Sequence, residues 1–329
     1  MGKKIVLSTG HKHAFHRISA LLALEKGYFR EEGLEEVDLI ASGEDTKTVE
    51  MMRDGRVDYG LDVKPGLIIE GANRGEELYI IGGMLNKFPS TLISTPEIKT
   101  IADLKGKRIG VKEEGGSRER LWIMMLLRQA GLDPMRDVTW VTHAGYGSLE
   151  IQKERLKRGD YHAVGLSGHY KRPELYDEVR KAGFNVLADR LNTHPEGLPD
   201  RVIAAPGSKL TSEPDTTIKV LKGIIRGYRF ARDAKNRDVI REMYLRYNWG
   251  KEGFGWGKFD EGLLEGMIDS ARYLPADGSV NEKGLSDIIA ELKAQRVVGN
   301  DFSISQILRL SFVKQAAREL DDRFGPGGY

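Results

Sequence analysis

The alternation of short apolar runs with helical stripes constrains this chain more than any other feature, because it runs through once and then restarts. Residues 4–9 read as a short buried strand. From Ile18 to Tyr28 apolar residues recur at 18, 21, 22, 24 and 28, a helical spacing, with Gly33 just beyond. A strand over about 36–41 follows. Asp45 or Thr46 then caps a helix carrying Val49, Met51 and Met52. A strand from Val57 to Leu61, a helix near 65–73 and a strand at Tyr79 to Ile81 complete the first set. The restart is the strand Lys107 to Val111, the turn Gly115-Gly116-Ser117 and a helix over about 118–130. Strands at 137–142, 161–166 and 184–188 then alternate with helices at 147–158 and 173–182. This rhythm predicts an α/β protein of two doubly wound lobes, each a mostly parallel sheet with helices on both faces.

After Pro206 the pattern predicts helix: about 213–234, 237–247, 260–274, 284–295 and 305–322, a helical C-terminal extension. The tail from Phe324 to Tyr329 is expected to fray. Two segments echo each other. Arg53 to Gly60 and Lys157 to Ala163 each read as a helix end, a glycine C-cap and an Asp-Tyr pair opening a strand. That echo fits two similar lobes.

Composition narrows the function classes. The 329 residues carry 51 Lys+Arg against 49 Asp+Glu, a formal charge of +2, which gives no footprint for nucleic acid or an acidic membrane. Cysteine is absent, which excludes a disulfide framework, a thiolate metal site and a cysteine nucleophile. No apolar run is long enough to span a bilayer, so membrane insertion is not expected. The opening Met1-Gly2-Lys3-Lys4 enters a strand at once, without the apolar stretch of an export signal. The expectation is a cytoplasmic protein, or a periplasmic one whose sequence begins after its signal was removed.

Several motifs resemble one family. Ala23-Leu24-Glu25-Lys26-Gly27-Tyr28-Phe29, continuing to Gly33-Leu34, is similar to the first-helix signature of type 2 periplasmic binding proteins of the sulfonate/nitrate/taurine class. Gly55 to Gly60, Ile101 to Val111, Gly131-Leu132-Asp133-Pro134 and Arg158 to Tyr161 follow in that family's order, so the resemblance covers about residues 4–205. It implies lobe one from residues 1–88 plus 206–329 and lobe two from 89–205, with crossovers near 90–95 and 201–205. It also implies a ligand cleft between the lobes and a hinge motion that closes it, as in uptake by an ABC transporter with a membrane permease. The same superfamily holds cytoplasmic enzymes, so the site must decide. Lys64 resembles, in position only, the lysine that anchors pyridoxal phosphate in the thiamine-pyrimidine precursor synthase. The spacing is one residue off, and that family's cysteine-rich motif is missing.

In open α/β sheets ligands sit at the carboxyl ends of strands. The loops there supply the candidate ligand-binding residues: His11, His13, Phe15 and His16 after strand one, Ser42 and Gly43 after strand two, Asp62 and Lys64 after strand three. In lobe two they are Gly116, Ser117 and Arg118, then His143, then Ser167 and His169. The histidines stand out, with three inside six residues at one strand end. Imidazoles facing a carboxylate or sulfonate suit an anionic or aromatic ligand. Gly115-Gly116-Ser117-Arg118 opens a helix, where free N–H groups and a guanidinium favour an anion. His-x-His with Glu44 or Asp62 has metal-ligand character, but the ligands would share one irregular loop, so no metal and no cofactor are expected. Two readings follow. One is a solute-binding protein that clamps a small carboxylate or sulfonate. The alternative is a lyase of the aromatic acid decarboxylase type, with His13, His16 and Lys64 as its catalytic groups. The glycine-rich aromatic stretch 247–257 reads either as a lid over a flat ligand or as a structured plug.

Overall fold

A computed structural model describes residues 4–87, 89–111, 118–143, 149–167, 172–250 and 259–329. In chain order it begins β1 (Ile5–Thr9), α1 (Ala14–Glu25), α2 (Tyr28–Glu31), β2 (Val37–Ala41), α3 (Asp45–Arg53), β3 (Tyr59–Val63), α4 (Pro65–Asn73) and β4 (Leu78–Leu85). Next come β5 (Ser90–Ser94), β6 (Lys107–Val111), α5 (Arg118–Gln129), β7 (Val138–Thr142), α6 (Leu149–Arg158), β8 (Ala163–Ser167), α7 (Arg172–Lys181), β9 (Asn185–Asp189) and α8 (Arg190–Thr193). The chain closes with β10 (Arg201–Pro206), α9 (Gly207–Ser212), α10 (Pro214–Arg232), α11 (Arg237–Tyr244), α12 (Glu261–Ser270), α13 (Glu282–Ala294) and α14 (Ser311–Phe324). Two compact units result: residues 1–87 with 198–329, and residues 88–197.

Each unit holds one five-stranded sheet, in the orders β2-β1-β3-β10-β4 and β7-β6-β8-β5-β9. Neither sheet is wholly parallel. β10 runs antiparallel between β3 and β4, and β5 runs antiparallel to both β8 and β9. In the first sheet this has a direct consequence. The start of β10, not its end, lies level with the carboxyl ends of β1 and β3, with Val202 opposite Val63.

Local chemistry moves several boundaries. β3 begins at Tyr59, two residues later than the pattern suggests, because the Asp58 carboxylate accepts the Val6 backbone N–H at 2.8 Å and holds the chain in a turn. Asp62 is thereby a strand residue rather than a loop residue. α1 begins at Ala14, so His16 belongs to its first turn. The N-cap of α3 is Glu44, not Asp45 or Thr46. The echoed glycines Gly55 and Gly159 both adopt left-handed φ, 71° and 76°, as helix C-caps require.

The core of the first unit includes the α1–α10 contact, where a Cβ added to Gly227 would lie 2.2 Å from the Ser19 carbonyl oxygen. In the second unit Trp122, Met125 and Leu126 on α5 are buried, as their spacing predicts. The expected solvated face at 153–158 is interrupted by Lys153, which is buried and paired with Glu150 and Glu178. The tail is not frayed. Tyr329 donates to Asp233 at 3.0 Å, and the Gly328 carbonyl accepts from Arg229 at 2.8 Å. Among the described residues no helix is long and apolar enough to cross a membrane.

Candidate functional site

The carboxyl edge of the first sheet gathers charge around one buried carboxylate. Asp62, 0% exposed, is paired in register with Thr9 of β1, so the loop that follows β1 passes directly over it. His11 Nδ1 approaches Asp62 Oδ2 at 2.6 Å, and His16 Nδ1 approaches Oδ1 at 2.8 Å. The two imidazoles stack at 4.3 Å with 20° between their planes. The His13 ring completes the group, 5.8 Å from His11 and 5.7 Å from His16.

Arg201 enters from the start of the antiparallel strand β10. Its Nε lies 3.0 Å from Asp62 Oδ1 and its Nη2 3.8 Å from Asp45 Oδ2, with the side chain 2% exposed. Lys64 Nζ stands 3.5 Å from the same Asp45 oxygen. Asp45 reaches the group because residue 10 is glycine: a Cβ there would lie 2.1 Å from Asp45 Oδ1. A polar floor continues through Thr48, bonded to Ser8 at 3.0 Å and to Ser42 at 2.8 Å.

An ionised carboxylate only accepts hydrogen bonds, so the protons in the two short contacts sit on the Nδ1 atoms. Each Nε2 is then an acceptor while the ring is neutral and a donor once it is protonated. Burial lowers the His16 pKa below 6.5, against the pull of Asp62. Burial alone would raise the pKa of Asp62. The charges of His16, His11 and Arg201 outweigh it and hold the carboxyl well below its ordinary value.

His11, His16 and Asp62 also place potential ligand atoms within 4.8 Å of one another, which makes a divalent cation the first alternative. The geometry favours hydrogen bonds. The two N–O separations are those of direct bonds, whereas ligands on a shared tetrahedral zinc stand roughly 3.3 Å apart. Arg201 and Lys64 moreover bring fixed positive charge to the two carboxylates that would have to attract the ion.

Of the sequence-derived candidates, His11, His13, His16, Asp62 and Lys64 come together, with Ser42 beside them. Gly43, with φ 94°, makes the turn into α3. Phe15 is corrected to a core residue. It is 1% exposed, and its ring meets the His16 ring edge-on at 5.5 Å. In the second unit His143 follows β7 and is buried, with its ring 5.9 Å from that of Tyr161. Gly116, Ser117 and His169, and the side chains of Arg118 and Ser167, lie outside the described residues, as does the 251–258 part of the aromatic stretch.

The candidate list drawn from the sequence does not include Arg201, Asp45, Thr48 or Asn248. It also lacks a buried polar group in the second unit, where Asp189 accepts from Thr91 at 3.2 Å and from Tyr176 at 2.6 Å, next to buried Ser90 and Arg190. Arg201 had a usable signal. An arginine opening an otherwise apolar strand (Val202 to Ala205) stands at a sheet edge, and only the assumed strand direction hid which edge.

Two cavities, of about 460 and 790 Å³, open at the other, amino-terminal edge of the first sheet, beside Asp58, Lys209 and Arg309. Lys209 there is satisfied by Asp58 at 2.5 Å and Glu213 at 3.1 Å. These are structural pairs, and the titratable network at the carboxyl edge is the better site.

The family model described as NMT1/THI5 like matches residues 15–236. No curated protein sequence matches the chain. Among solved structures the chain is similar to the periplasmic sulfonate-binding protein SsuA from Methylobacillus flagellatus KT, at 15% identity over 97% of this chain and 95% of that one, with a TM-score of 0.71. It is similar to the periplasmic nitrate-binding protein NrtA from Synechocystis PCC 6803, at 13% identity over 97% and 89%, with a TM-score of 0.66. It is also similar to the desulfurization enzyme DSZB, at 16% identity over 96% and 99%, with a TM-score of 0.61. At these identities the likeness speaks for the fold.

Proposed function

The chain belongs to the NMT1/THI5-like family, and from that premise we propose that it is a solute-binding protein capturing a small anionic molecule of the carboxylate or sulfonate type. The observation that carries this reading is the network around Asp62. Two carboxylates are balanced by Arg201 and Lys64, His11 and His16 bond to Asp62, and the His13 ring lies beside theirs. A proton gained by a ring whose Nδ1–H is held by Asp62 makes the network net positive and turns its Nε2 from acceptor into donor for an anion. The similarity to sulfonate- and nitrate-binding proteins supports the same class of ligand.

On this reading the protein acts outside the cytoplasm and hands its ligand to a membrane permease of an ABC transporter. His11, His13, His16 and Lys64 supply the ligand contacts of the first unit. Ser117, Arg118, His143 and His169 are proposed as those of the second. Native mass spectrometry of freshly purified protein tests the reading, followed by calorimetric titration with nitrate, alkanesulfonates and aromatic carboxylates. One retained or titratable anion per chain supports it. Absence of binding to every class overturns it.

A further inference from the structure

Helix α1 carries His16 in its first turn, and its own N-cap residue supplies no side-chain cap. That residue, His13, has an extended backbone, and the first turn holds no acidic residue. The first backbone N–H groups of a helix lack partners within the helix, and a buried one left unmet is costly. Ala14 is buried. Its N–H is met by Asn248 Oδ1 at 2.8 Å, a residue 234 positions further along the chain.

Asn248 is 0% exposed and sits in the π-helical turn Leu245–Trp249. Such turns recur at functional sites because the wider coil re-aims a side chain. The turn is closed by the Gly250 N–H donating to the Leu245 carbonyl at 2.8 Å. The same turn grips the far end of α1. Arg246 and the Tyr247 hydroxyl both donate to Glu25 at 2.5 Å. The Asn248 amide nitrogen points towards Met267 Sδ at 3.7 Å, which fixes which way the amide faces. One segment therefore clamps both ends of the helix that presents His16 to Asp62.

We propose that Asn248 is a positioning residue of the Asp62 network: by capping α1 from the turn 245–249 it sets the height and rotation of the first helical turn, and so the His16–Asp62 hydrogen bond. The segment that opens the glycine-rich aromatic stretch is thus part of the support of the histidine loop. This rests on the network being the ligand site. Its test reads the network's own proton rather than a ligand, so either can fail without the other.

The experiment uses full-length protein with nitrogen-15 labelled histidine. Long-range proton–nitrogen correlation reports which ring nitrogen of His16 is protonated, and hydrogen exchange reports the Ala14 amide. In the wild type the Nδ1–H form of His16 should dominate. Asn248→Ala should lose that dominance and speed Ala14 exchange by about tenfold, the equilibrium factor of a lost cap. Asn248→Asp keeps the acceptor and should restore both signals, and it carries the test if Asn248→Ala does not fold. Leu292→Ala, a core truncation in α13, should lower stability without moving the His16 signals. A folded Asn248→Ala with unchanged His16 tautomer and Ala14 exchange overturns the proposal. So does an Asn248→Asp that disturbs the His16 signals as much as Asn248→Ala does.

Discussion

His16 and Asp62, 46 residues apart in the chain, meet through Nδ1 and Oδ1 at 2.8 Å with Asp62 wholly buried. The same carboxylate neutralises Arg201 at 3.0 Å. Asp62→Ala should therefore leave a buried guanidinium without its partner and cost about 3–5 kcal/mol, the usual range for breaking a buried pair from one side. Asp62→Asn keeps an acceptor and should cost less. Urea unfolding of the three proteins checks the ordering. A loss below about 1 kcal/mol in Asp62→Ala would contradict the central place given to this carboxylate.

Stability should fall on mild acidification. Burial holds the His16 pKa below 6.5, whereas the unfolded ring titrates near that value. Between the two values the unfolded chain binds a proton that the folded chain does not, so stability drops as pH falls through 6.5. Asp62 adds a loss in the same direction at lower pH, since its folded pKa is depressed and its stabilising effect vanishes as pH falls through that value. His16→Gln should flatten the first of these limbs. Thermal midpoints from pH 8 to 5 in wild type and variant measure it, and parallel curves would be the contrary result.

The helix packing around the site makes its own forecast. In an exposed helix Gly→Ala gains about 1 kcal/mol. At Gly227 the added Cβ would lie 2.2 Å from the Ser19 carbonyl, so α10 must retreat from α1. Gly227→Ala should destabilise by about 1–3 kcal/mol, typical of overpacking. A stabilised variant in the same denaturation assay would show that the helices are not in this contact.

Lys64 is the less buried of the two cations, with 28% side-chain exposure. Lys64→Gln should weaken anion binding by about 1.5–3 kcal/mol, the range for a hydrogen bond to a charged group, while costing less stability than Asp62→Ala. Isothermal calorimetry separates the two effects. An unchanged dissociation constant would remove Lys64 from the ligand site.

How much of this could be read beforehand follows from what each feature depends on. The two α/β sets were legible because hydrophobic period is local, and the histidine loop because imidazoles beside a strand end are adjacent in sequence. The antiparallel entry of β10 was not, since strand direction is set by where the chain returns rather than by its own residues, and Arg201 was lost with it. In the sequence Asp45 looks like a helix cap, because only the missing Cβ of Gly10 shows that the loop approaches its carboxylate. Phe15 looks like a loop residue in the sequence, but α1 begins earlier than its apolar stripe suggests, and Phe15 is buried in its first turn. Asn248 lies in the stretch 247–257 that the sequence singles out, but its capping role leaves no local pattern, because its partner, Ala14, is distant in sequence.

The most direct test of the account is the fate of a bound small molecule. Wild-type protein and His13→Gln are incubated with each anion that binds, and the small molecule is recovered and weighed by mass spectrometry. A solute-binding protein returns it unaltered from both, with His13→Gln changing only the affinity and its dependence on pH. Recovery of a converted product from the wild type, reduced by on the order of 10²–10⁴ in the variant, is the acid–base signature of a lyase and would contradict the account.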